Sequence, residues 1–231
     1  MILWKISSLA ITVALYAAAK RIHAKKPGLL RSPAILAPLG IVLLTLVFQM
    51  PFDAYKASTS SLTGMLDVVT VAFAIPLYRN WPILAANWRL IVGSLALGSL
   101  TAVLAGVVGT VFLGLGAEAA ISVIPRSITM PVAVNLSSAL GGTPELTAAF
   151  VMLTSFAGVF LGPRIIKRMR LRHPLAIGLM YGMGAHALGM VKAFEQGDLE
   201  GGSATLAVIA GALITVVWAY LFFPAVQSWL M

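Results

Sequence analysis

The feature that most constrains this chain is a set of long stretches with no acidic or basic residue. Ser32–Phe52, Leu90–Ala117, Ser127–Pro144, Leu146–Pro163, Pro174–Val191 and Gly201–Met231 are all of this kind, and Glu145 alone separates two of them. A helix needs about 20 mostly apolar residues to cross a hydrocarbon core about 30 Å thick. Ile2–Ala19, charged only at Lys5, and Ser61–Tyr78, whose apolar part is Val68–Tyr78, bring the hydrophobic segments to about seven or eight. With 60% hydrophobic and 10% charged residues and a mean hydropathy of +0.97, the chain carries more apolar surface than a water-soluble domain covers. The expectation is an all-α integral membrane protein, a single transmembrane domain over residues 1–231. Residues 1–31 give a peripheral first helix and basic loop, 32–117 a first repeat-like half and 118–231 a second half with the motifs.

Charge placement sets the expected topology. Two clusters hold Lys20, Arg21, Lys25, Lys26 and Arg31, and then Arg164, Lys167, Arg168, Arg170 and Arg172, in what read as short loops without an acidic residue. Basic loops stay on the cytoplasmic side. That pattern accounts for much of the net charge of +9 and points away from a nucleic-acid partner. Lys5, an apolar run and Ala17-Ala18-Ala19 have the look of a cleavable export signal, but the cations that follow favour a retained first helix. If both Ser127–Pro144 and Leu146–Pro163 crossed fully, the second basic cluster would land outside, so Ser127–Pro144 is expected to be re-entrant or broken. Pro131 would deprive the Ser127 carbonyl of its partner in a continuous helix, Gly141-Gly142 suits a stop, and Thr143-Pro144 suits a new helix start.

Thr70-Val-Ala-Phe-Ala-Ile-Pro-Leu77 aligns with Thr129-Met-Pro-Val-Ala-Val-Asn-Leu136 at Thr, Ala and Leu. Paired interrupted segments in two halves are the sequence mark of an inverted repeat with a binding site between them.

Pro125-Arg-Ser-Ile-Thr-Met-Pro-Val-Ala133, Gly141-Gly-Thr-Pro144, Ala185-His-Ala-Leu-Gly189, Glu200-Gly201 and Ala74-Ile-Pro-Leu-Tyr78 together resemble the LrgB/CidB family over essentially the whole chain. The chain departs from the usual strings at Arg126 (Lys), Met130 (Thr), Gly184-Ala185 (Ala-Ser), Met190 (Thr) and Asp67-Val68, which leaves fewer hydroxyls in the motif region. The resemblance implies a multi-pass inner-membrane protein paired with a small LrgA/CidA-type membrane protein. It also implies one of two roles: a holin- or antiholin-like modulator of murein hydrolase activity and autolysis, or a carrier of small monocarboxylates such as pyruvate, glycolate and glycerate.

The residues themselves favour a carrier, with proton coupling as an option. Ser127, Pro131, Asn135 and Ser138 would share one helical face, and Ser127 could cap a half-helix whose positive end suits a carboxylate. Arg126 at its mouth could grip that carboxylate in a bidentate pair. Arg126, Ser127, Thr129, Pro131, Asn135, His186 and Thr70 are the candidate substrate contacts, and His186, Asp67 and Lys192 the candidate proton-coupling or gate residues. Lys192 and Glu195 are spaced to pair as a surface salt bridge, and Gly178, Gly182, Ala185 and Gly189 form a stripe for close helix packing. With no cysteine, no phosphate loop and no metal-spaced cluster, neither an enzyme nor a cofactor is expected; a homo-oligomer is.

Overall fold

The structure is a computed structural model, and it describes residues 2–25, 31, 33–49, 52–62, 64–65 and 74–230. Thr70 and Asp67, with most of the first interrupted string, lie outside the described residues. The chain forms two compact units, Met1–Ala72 and Phe73–Met231.

The first unit contains α1 (Ile2–Lys25), α2 (Pro33–Val47) and α3 (Phe52–Ser58). Thr12 donates to the Ser8 carbonyl at 2.8 Å, so the 2.9 Å contact with Tyr55 is a bond donated by the tyrosine hydroxyl. It ties α3 to α1.

The second unit contains α4 (Ala74–Arg79), α5 (Trp81–Ala86), α6 (Trp88–Phe112), α7 (Gly116–Val123), α8 (Met130–Ala139), α9 (Pro144–Met169), α10 (Pro174–Phe194) and α11 (Asp198–Leu230). Among the described residues four helices are long and apolar enough to cross a membrane: α6, α9, α10 and α11 as far as Pro224. The protein is all-α and multi-pass. Trp218 donates its indole N–H to the Ala96 carbonyl at 3.1 Å and so joins α11 to α6. Asn80 donates to the Asp198 carbonyl at 3.2 Å, which places the start of α11 beside the end of α4.

Several boundaries differ from those expected. The stretch Leu90–Ala117 does not stay helical to its end: Gly114 and Gly116 take φ values of +66° and +84°, a left-handed turn that glycine tolerates, and α7 begins there. α9 runs on through Pro163 to Met169, so Arg164, Lys167 and Arg168 lie on its last turns and only Arg170 and Arg172 fall in the connection. Their charges oppose the negative end of the helix dipole, and all five are exposed. Only residues 195–197 connect α10 to α11, and Gly201 and Gly202 are buried in the first turns of α11, where any Cβ on Gly201 would strike the Phe194 ring.

Ser127–Pro144 is interrupted, as its proline and glycines predict. A 3₁₀ turn over Ile124–Ser127 is followed by extended backbone at Ile128 and Thr129, and then by the ten residues of α8. Pro131 sits in the first turn of α8 rather than its interior, where its missing N–H leaves no carbonyl stranded. Gly141, at φ +82°, ends the segment, and Thr143 with Pro144 starts α9. The descending arm of this excursion is α7, which lies between the apolar stretches Leu90–Ala117 and Ser127–Pro144.

Candidate functional site

α7 and α8 form a hairpin whose depth is set by a ladder of hydroxyls on α9. At the top, the Thr143 hydroxyl donates to the Glu118 carboxylate and the Thr143 N–H donates to Ser122 Oγ at 2.8 Å. One turn further along α9, the Thr147 hydroxyl reaches both the Ser122 carbonyl, at 3.0 Å, and Ser137 Oγ, at 2.6 Å, and thereby holds both arms. At the bottom, Arg126 Nη1 donates to Thr154 Oγ1 at 3.2 Å. From Thr143 to Thr154 the α9 backbone advances roughly 16 Å. The hairpin therefore dips to about mid-membrane and returns.

The second reversal comes from the opposite end. His186, inside α10, takes φ 48° and ψ −125°, and the helix breaks there. The would-be Cβ of Gly189 abuts the Tyr181 carbonyl. In a straight helix Tyr181 and Gly189 would stand roughly 12 Å apart, so the chain doubles back at His186. The arm from Pro174 to His186 is roughly 18 Å long. α10 is thus a second re-entrant element, whose two arms both end on the side where α9 carries its arginines and lysines.

The two reversals meet. His186 Nε2 lies 3.1 Å from the Arg126 carbonyl, and since a carbonyl only accepts, the ring proton sits on Nε2 and leaves Nδ1 as a buried acceptor with no partner. Arg126 is held by neutral acceptors alone: besides Thr154, its Nη2 donates to the Ala102 carbonyl of α6 at 3.3 Å, while Nε is buried without a partner against Gly106. No carboxylate pairs with it among the described residues, where the ion pair found is Lys192–Glu195 at 2.6 Å on the surface. A guanidinium at membrane depth with no counter-charge among the described residues is the site's dominant electrostatic fact.

Of the residues singled out by the sequence, the structure brings Arg126, Ser127 and His186 to the meeting point. Ser127 is buried in the 3₁₀ turn and does not cap a half-helix. The N-cap position of α8 belongs to Thr129, whose hydroxyl makes no capping bond, because the chain needs two extended residues to leave the turn before it becomes helical again. Pro131, Asn135 and Ser138 share a face of α8, as their spacing requires, but that face is exposed and points away from the buried core residues Ala133, Leu136 and Ser137. Lys192 is on the return arm of α10, in the expected pair with Glu195.

Sequence reasoning missed Thr143, Thr147, Thr154 and Gly158 as one set. Their spacing of four, seven and four puts them on a single face of α9, which was a legible signal. At Gly158 even a methyl group would collide with the Gly184 carbonyl, so this glycine gives α10 the room to bend.

The model of the LrgB-like family matches residues 12–225, through both reversals. The chain belongs to the LrgB-like family. Holin-like protein CidB of Staphylococcus aureus (strain N315) is 32% identical over 208 residues, 90% of each chain. Antiholin-like protein LrgB of Bacillus cereus (strain B4264) is 32% identical over 186 residues, 80% of each chain. Uncharacterized protein YwbG of Bacillus subtilis (strain 168) is 36% identical over 211 residues, 91% of this chain and 94% of the relative. No solved structure matches. For an LrgB-like protein the arrangement described above, two re-entrant elements joined by one histidine-to-carbonyl bond at an uncompensated arginine, is the feature most able to carry a function.

Proposed function

We propose that this chain is a holin-like or antiholin-like component of the inner membrane that modulates murein hydrolase activity and autolysis, in company with a small LrgA/CidA-type membrane protein. The similarity to a holin-like CidB over 90% of the chain supports this reading, because it takes in the whole double reversal and not only the apolar helices. The test is the rate of detergent-induced lysis and the secreted murein hydrolase activity of host cells that lack the chain, overproduce it, or carry Arg126→Ala. Lysis that is the same in all of them, with and without the small partner, would remove the reading.

One observation favours a second reading, in which the chain passes small monocarboxylates such as pyruvate, glycolate or glycerate. Among the described residues Arg126 meets a hydroxyl and a carbonyl but no carboxylate, and a half-buried guanidinium of this kind attracts a planar anion. Uptake of radiolabelled pyruvate, glycolate and lactate into proteoliposomes, with and without a pH gradient, tests it. Saturable uptake that Arg126→Ala abolishes is the supporting result, and none from well-folded protein with its partner would sink it.

A further inference from the structure

The helices of the second unit present two kinds of outward surface. On α9 and α11 the exposed mid-helix side chains are aliphatic, among them Met152, Leu153, Leu161, Leu213 and Val217, as a surface against lipid tails should be. α8 is different. Flanked by the exposed apolar residues Met130, Val132 and Ala139, a polar stripe runs from Gly141 through Ser138, Asn135 and Pro131 to the half-buried Thr129 at the tip. Among the described residues the Asn135 amide has no hydrogen-bond partner, and neither does the Thr129 hydroxyl. Ser138 turns its hydroxyl back to the Val134 carbonyl at 2.9 Å.

The depth of Asn135 follows from the ladder on α9. Ser137 stands level with Thr147, one turn below the mouth at Thr143, and Asn135 lies deeper again, about 9 Å below the mouth. An amide at that depth is costly to leave in hydrocarbon, and it has no partner among the described residues. Intramembrane polar groups of this kind face a bundle interior or a water-filled cavity. The extended backbone at Ile128 and Thr129 obeys the same restriction, since non-helical backbone at this depth occurs only in protein or beside water.

We propose that the outer stripe of α8 is one wall of a water-filled cleft, open at the Gly141 end and closed at the hairpin tip beside Arg126. The open end is the one opposite the arginines and lysines of α9, so the cleft faces away from the cytoplasm. It gives water and small polar solutes a route to half the membrane depth, stopping where His186 meets the Arg126 carbonyl. The proposal concerns solvent access and stands whichever functional reading holds.

The chain has no cysteine, so a single introduced thiol reports one position. Asn135→Cys, Ser138→Cys, Leu153→Cys and Leu213→Cys are expressed in intact cells and treated from outside with a charged, membrane-impermeant methanethiosulfonate. Only the thiolate reacts, and a thiol against hydrocarbon stays protonated, so the two α8 positions are expected to react at least about tenfold faster than the other two. Ser138→Cys changes a single atom and keeps the test valid should Asn135→Cys fold poorly. Reaction at the α8 positions as slow as at Leu153→Cys would overturn the proposal, and so would reaction only after the cells are permeabilised. Oxidative cross-linking of Asn135→Cys into dimers without reagent labelling would also overturn it, because a second copy would then cover the face.

Discussion

Two chain reversals meet in the middle of this protein, and they are made of different materials. At the α7–α8 tip the chain turns through Ile124–Ser127 with Pro125 inside the turn, extends over Ile128 and Thr129, and restarts with Pro131 in the first turn of α8. No residue there has a positive φ. At the α10 reversal there is no proline between Pro174 and Phe194, and a single histidine takes a φ of 48° that suits glycine. The first turn is written into local backbone preference. The second is imposed by packing, with Gly158 making space for the Gly184 carbonyl, Gly189 lying against Tyr181 and His186 anchored to Arg126.

If packing imposes the α10 reversal, filling its space should do the most damage. Gly158→Val is expected to cost about 3 kcal/mol or more, read as a fall in the thermal midpoint and loss of monodisperse protein in detergent. Arg126→Ala comes next: it removes the side-chain bonds that tie the α7–α8 tip to Thr154 of α9 and to the Ala102 carbonyl of α6, while the backbone carbonyl that meets His186 stays, for an expected cost of about 2 kcal/mol together with loss of function in the lysis or uptake assay. Arg126→Lys should recover only part of the stability, since one ammonium does not span the Thr154 hydroxyl and the Ala102 carbonyl as the planar fork does.

A finer comparison separates strain from hydrogen bonding at His186. His186→Gly loses the bond to the Arg126 carbonyl but gains a residue suited to the positive φ, whereas His186→Ala loses the bond and keeps the strain. The glycine variant should therefore be more stable than the alanine variant by about 1 kcal/mol. Equal melting temperatures would mean that the backbone there is relaxed. The smallest effect is expected at Pro131, where Pro131→Ala should change stability by no more than about 0.5 kcal/mol, because a first-turn proline interrupts no bond of α8. A large loss would place the proline inside a longer helix and erase the contrast between the two tips.

How much could be read from the residues follows the same division. Pro131, Gly141 and Thr143-Pro144 marked the interruption, its end and the next helix start, since each acts through its own backbone. Residues 118–123 fall between the stretches Leu90–Ala117 and Ser127–Pro144 because Glu118 interrupts an apolar run, and they form α7, whose first turn accepts the Thr143 hydroxyl. Asn135 was grouped with Ser127 by helical spacing, but that spacing holds only from Met130 onward, so the amide faces outward while Ser127 is buried in the 3₁₀ turn. His186 drew notice as an ionisable residue at membrane depth. Nothing local to it announces a reversal.

The amino-acid sequence by itself determined that this is an all-α, multi-pass membrane protein, that its basic residues gather at particular ends, and that one apolar segment is broken. Those properties depend on hydrophobic transfer, charge placement and proline or glycine backbone restrictions, all of which act residue by residue. Only the tertiary structure decided that Pro174–Phe194 doubles back, that its turning point touches the tip of the other hairpin, and that the Arg126 side chain bonds neutral acceptors while its Nε stays unpartnered among the described residues. Each of these depends on which backbone comes within contact distance of which glycine or hydroxyl, a relation between residues far apart in the chain that periodicity and composition do not carry.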